Sequence, residues 1–225
     1  MQLAHQIRLA HFAVLCFWTY QALAQIDLGA AASFAILAAY RIENTGNTIV
    51  DGQIGIYPRD ANLIIGFPPG VSSGVVDGDP ANQAQAAAAN AYNQARQMTT
   101  DVTITSFLGD GQVLFAGTYS SPASLSVGGT LVLDGQGNPN AVFVFQIGKS
   151  LDTGEGASIV LVNGARSCNV FWQMASAAYF RRRTNFAGSI IARYGIDIEL
   201  GVTIIGGLYC LNGYVKLNED TVNLQ

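Results

Sequence analysis

The sequence predicts an all-β fold of the solenoid type with one long α-helix packed alongside. Three observations carry that reading: a Gly-rich, apolar, charge-poor composition, a repeat in the C-terminal quarter, and a single Ala-rich segment with helical spacing. Of 225 residues, 25 are Gly, 50% are hydrophobic and only 12% are charged. Disordered chains need many charges and few apolar residues, and helical bundles draw on Glu, Lys and Arg, so both are excluded. Gly shows no three-residue period, which excludes collagen. Short Val/Ile/Thr-rich runs closed by Gly turns remain, and these favour strands. The net charge of −4, with no long basic run, gives no nucleic-acid footprint.

Residues 1–24 read as a secretory signal peptide, so a mature domain of residues 25–225 is expected outside the cell. His5 and Arg8 lie in the leading region, Leu9–Tyr20 is apolar, and Ala22-Leu23-Ala24 supplies the small-x-small cleavage pattern. The apolar run is short for a membrane span, and no other stretch is long and apolar enough, so no membrane contact is expected after cleavage. Both histidines, His5 and His11, leave with the signal, which removes any His triad or His metal site. Two cysteines remain, Cys168 and Cys210. A secreted chain permits a bridge, but the repeat register puts them out of line, so separate thiols are expected.

Strand-length apolar runs follow: Phe34–Leu37, Val113–Phe115, Leu131–Leu133, Val142–Ile147, Ile159–Val162, Val170–Trp172 and Ile190–Ala192. Between the first two lies the helix, expected over about 80–99, with Asp79 as N-cap and Pro80 at the first helical position. Ala84, Ala87, Ala88, Ala91, Tyr92 and Ala95 form its apolar stripe, suited to close packing on a flat β surface.

Ala178–Arg193 aligns with Ile196–Leu211 at an offset of 196 − 178 = 18 residues, and Val215–Leu224 is a partial third copy. Ala178 meets Ile196, Phe180 meets Ile198, Phe186 meets Ile204, Gly188 meets Gly206 and Ile190 meets Leu208. One such coil cannot bury its own apolar face, whereas stacked coils make a continuous core. The N-terminal stretch is out of period, which suggests an irregular cover for a solenoid end.

Several strings then carry a family resemblance: Ser33–Leu37 (SFAIL), Ile42–Ile56 followed by Pro58, the turn Gly66–Gly70 (GFPPG), Val142–Ile147, Asn169–Gln173 (NVFWQ) and Phe186–Ala192 (FAGSIIA). In this order they resemble the microbial ice-binding-protein-like family of secreted antifreeze domains, over nearly the whole mature chain. The resemblance implies a discontinuous right-handed β-solenoid of triangular section with the helix alongside. It also implies adsorption to an ice crystal surface without catalysis or cofactor, and inhibition of ice growth and recrystallisation. A monomer is expected.

Active members often carry Thr-small-x-Thr or Thr-Gly-x-Asn at coil corners, and Thr45-Gly46-Asn47-Thr48 keeps that pattern. The same four residues equally suit an ordinary turn. The candidate ice contacts are Thr45, Thr48, Thr184, Asn185, Thr203 and Thr221. Arg182, Leu200 and Glu219 stand where the first Thr of the pattern belongs, and Asp197, Glu199 and Lys216 bring charge to the adjoining strand.

Arg181, Arg182 and Arg183 suggest an alternative: a matrix or adhesin-like module gripping polysaccharide or another anionic surface. A ladder pair between Arg181 and Glu199 would instead make them structural. Asp197 and Glu199 share a strand face, as a polysaccharide-cleaving carboxylate pair would, although a solvated face explains them as well. Two distant Cys make no zinc site, and Asp134, Asp152 and Glu155 lack calcium-loop spacing, so no metal is expected.

Overall fold

The computed structural model describes residues 26–224, and the expected signal peptide lies outside the described residues. Three parallel sheets of nine, eight and seven strands run along a common axis, so the solenoid has three faces. The repeat sets the register of its last coils. Ile190 pairs with Leu208, Phe186 with Ile204, and Ala178 with Ile196. The partial copy continues it, with Val215 opposite Ile196 and Val222 opposite Ile204. Inward side chains stack coil on coil into one core. Within it the rings of Phe145 and Trp172 lie 3.7 Å apart and 7° from parallel.

Gly188 and Gly206 mark one corner, with φ of +113° and +147°. A Cβ at Gly206 would lie 2.3 Å from the Gly188 carbonyl oxygen, so this corner requires glycine for both angle and space.

The N-terminal stretch departs from the expectation of an irregular cover. Phe34–Ala38, Arg41–Thr45 and Ile49–Asp51 form a complete coil. That coil docks on the last one, with Ile36 opposite Leu208, Ile42 opposite Val215 and Val50 opposite Val222. The chain then returns to the far end through the helix, and the remaining coils are laid down back toward the start.

The helix spans Gly78–Gln97, shifted two residues toward the N-terminus from the expected range. Asp79 is therefore inside the first turn, where its charge favours the helix dipole, and is not the N-cap. Arg96 does the same in the last turn. Ala84, Ala88, Ala91, Tyr92 and Ala95 are buried against Phe34, Leu37, Val144, Phe171, Ile191 and Tyr209 of the nine-stranded sheet. The Gln146 amide donates to the Ala95 and Met98 carbonyls at 2.8 Å, tying down the helix end. One face is thus covered, and two remain open to solvent. Among the described residues no helix is long and apolar enough to cross a membrane.

Candidate functional site

The two open faces differ in chemistry. On the seven-stranded sheet, Ile49, Thr221, Thr203, Asn185, Ser158 and Thr130 form one outward row, each paired in register with the next. Two residues further along each strand, a second outward row begins with Asp51, Asn223 and Ile205, while Ala187 at its next place is buried. It continues on the next three coils as Val160, Val132 and Val113. Between the rows, Val50, Val222, Ile204, Phe186, Ile159 and Leu131 point inward and are buried. Parallel pairing spaces neighbours by about 4.8 Å across coils and about 6.6 Å along a strand, so hydroxyl and methyl groups form a regular grid. Thr and Val are stiff at χ1, which fixes each group on that grid.

The eight-stranded face is charged. Its central outward row runs Ile65, Glu43, Lys216, Asp197, Tyr179, Asp152, Ser126 and Phe107. Arg41 pairs with Glu43 at 3.2 Å on the same face. Such side chains protrude and hold their own water.

The candidate ice contacts divide between these surroundings. Asn185, Thr203 and Thr221 come together as consecutive members of the threonine row. Thr45 is exposed but ends a strand of the charged face, outside the row. Thr48 and Thr184 must be withdrawn as contacts, because neither has any exposed surface. They line the inner side of the corner between the open faces. The Thr48 hydroxyl donates to Asn44 and accepts the Asp220 N–H, and the Thr184 hydroxyl donates to the Arg181 carbonyl at 2.7 Å. Ser158, Thr130 and Ile49 complete the row without having been candidates.

Two of the three arginines are engaged by carboxylates. Arg181 contacts Asp152 at 2.7 Å and Glu199 at 3.0 Å, and these hydrogen bonds hold its pKa further above the usual arginine range. Arg183 reaches Glu155 at 3.7 Å, and the Arg182 carbonyl accepts the Gly156 N–H. The ladder pair with Glu199 is therefore present and joined by a second carboxylate. Glu199 is occupied by it, and Asp197 accepts the Tyr214 hydroxyl at 2.9 Å, so they do not stand as a free carboxylate pair. Cys168 is exposed and Cys210 buried, and they are not bonded to each other. Burial pushes the Cys210 thiol up to about 12. Among the described residues, no group of three or more His, Cys, Asp or Glu is placed to hold a metal ion.

Comparison with known proteins agrees with this architecture. The model of a family described as ice-binding-like matches residues 36–223. An ice-binding protein of Nostoc sp. (strain HG1) is 35% identical, covering 97% of this chain and 82% of its own. The crystal structure of an ice-binding protein from the Antarctic ascomycete Antarctomyces psychrotrophicus superposes with a TM-score of 0.84 at 34% identity, covering 89% of this chain and 98% of that one. A glycosylated ice-binding protein from an Arctic yeast gives 0.83 at 29% identity, covering 88% and 94%.

Proposed function

Because the chain belongs to the ice-binding-like family, we propose that it is an ice-binding, antifreeze protein that adsorbs through the threonine face of its seven-stranded sheet. The observation that carries the choice of face is the unbroken row from Thr130 to Ile49 beside a second row made largely of apolar side chains. Adsorption needs no bond-making. It needs a rigid surface whose hydration water already sits on a grid, so that little ordering remains to be done when it meets the crystal. Stacked coils supply the rigidity, and threonine supplies a hydroxyl to hold a water beside a methyl to shape it. A bound molecule pins the ice front and prevents local growth, which slows both enlargement and recrystallisation.

The protein acts without catalysis. It works outside the cell after removal of residues 1–24, as a monomer with ice as its partner. The test is thermal hysteresis and ice-recrystallisation inhibition by the purified mature domain. Activity in both, lost on Thr203→Tyr, supports the reading. Folded protein inactive in both at tens of micromolar overturns the function, and full activity of Thr203→Tyr overturns the face.

A further inference from the structure

Two exposed tyrosines stand on the corner between the helix-covered face and the charged face. Arg41 and Gly195 both pair with Tyr214, so the residues just before them occupy one column: Tyr40, Gly213 and Tyr194. The Tyr40 N–H donates to the Gly213 carbonyl at 2.8 Å, which fixes the stacking. Tyr40 is 53% and Tyr194 54% exposed, so neither ring shields much core. Gly213 cannot be replaced without conflict, since a Cβ there would lie 1.8 Å from the Tyr194 carbonyl oxygen. The corner therefore presents two aromatic groups separated by a bare backbone step. Two coil spacings put their backbones about 9.6 Å apart, close to the length of a disaccharide in an extended β-linked chain.

Polar groups flank the pair. The Arg59 guanidinium sits 5.4 Å from the Tyr40 ring centre, and Lys216 sits 4.9 Å from that of Tyr214. Arg41 holds Glu43 while its Nε is buried without a partner. Flat rings spaced along a ridge, beside side chains able to bond adjacent hydroxyls, match the two surfaces of a sugar: apolar C–H faces and a polar edge. On the adjoining strands Glu43, Lys216 and Asp197 alternate in sign, and Arg41 is paired with Glu43, so the ligand they fit is neutral.

We propose that this tyrosine ridge binds a neutral β-linked polysaccharide, independently of the ice-contacting face. The protein would then be held at a glycan matrix with its threonine face free. Native affinity electrophoresis in a soluble mixed-linkage β-glucan tests this. The protein is expected to be retarded, and the Tyr40→Ala/Tyr194→Ala variant to run as in a glucan-free gel. The variant should keep its melting temperature and its ice activity. Conversely, Thr203→Tyr should lose ice activity and keep its retardation, so the two surfaces fail separately. The proposal is overturned if the protein is not retarded, or if the double variant is retarded equally. Retardation only in polygalacturonate, abolished by salt, also overturns it. So does sedimentation showing that the tyrosines mediate self-association.

Discussion

Thr203 and Thr221 are direct neighbours in parallel register on consecutive coils, and both side chains leave the same face. A bulky side chain at either position breaks the grid in both directions, because it displaces the ordered water of its neighbour. Thr203→Tyr and Thr221→Tyr are each expected to remove most thermal hysteresis with little change in melting temperature. Thr45→Tyr, on the charged face, should leave hysteresis intact. Loss of activity in the Thr45 variant alone would move the contact surface to that face.

Thr48 gives the opposite dissociation. Its hydroxyl satisfies both Asn44 and the Asp220 N–H with no access to water. Thr48→Val leaves both groups unpaired and is expected to cost about 1–3 kcal/mol. Hysteresis per folded molecule should be unchanged. Urea unfolding followed by activity measurement separates the two effects.

Gly206→Ala tests the stacking itself. The substitution places a Cβ against the Gly188 carbonyl oxygen and imposes a φ of +147° on a residue with a side chain. A loss of at least about 2 kcal/mol is expected, since neither coil can withdraw without breaking its neighbours. Gly201→Ala, where no atom lies within reach of a Cβ but φ is +74°, carries only the strain and should cost less.

Asp220 makes stability depend on pH. Burial pushes its carboxyl up to about 6, with Glu219 adding to the rise, against backbone N–H donors from Asn218, Val202 and Gly201 that lower it. The folded chain thus holds this proton more tightly than the unfolded chain. The corresponding stability is fully present below the unfolded pKa near 3.8 and is lost as pH rises through about 6. The melting temperature should increase from pH 7 to pH 5, and Asp220→Asn should lack that increment. Parallel changes in both proteins would assign the effect elsewhere.

The arginine cluster should matter little. Arg181 and its two carboxylate partners are each more than 40% exposed at the side chain, where solvent screens their attraction. Arg181→Met is expected to cost under about 1 kcal/mol, less in high salt, without loss of hysteresis. A loss of ice activity in this variant would show that the charged face takes part in adsorption.

The sequence by itself determined the type of fold, its helix and part of the threonine row. The eighteen-residue period placed Asn185, Thr203 and Thr221 at equivalent positions, because these coils differ by 203 − 185 = 18 and 221 − 203 = 18 residues. Further upstream the steps are 158 − 130 = 28 and 185 − 158 = 27, because longer corners follow Thr130–Asp134 and Ser158–Val162. Loops of unequal length hide a spatial repeat from the sequence, so Thr130 and Ser158 were not legible. Ile49 was hidden differently: it lies 221 − 49 = 172 residues before its partner, on a coil that the helix-spanned return path brings onto the last one. Tertiary structure also decided which corner threonines face water. Thr184 and Asn185 are adjacent in sequence, yet the turn sends one inward to meet the Thr153 hydroxyl of the neighbouring coil at 3.0 Å and the other outward into the row. Hydrogen bonding across stacked coils makes that choice, and composition and spacing do not encode it locally.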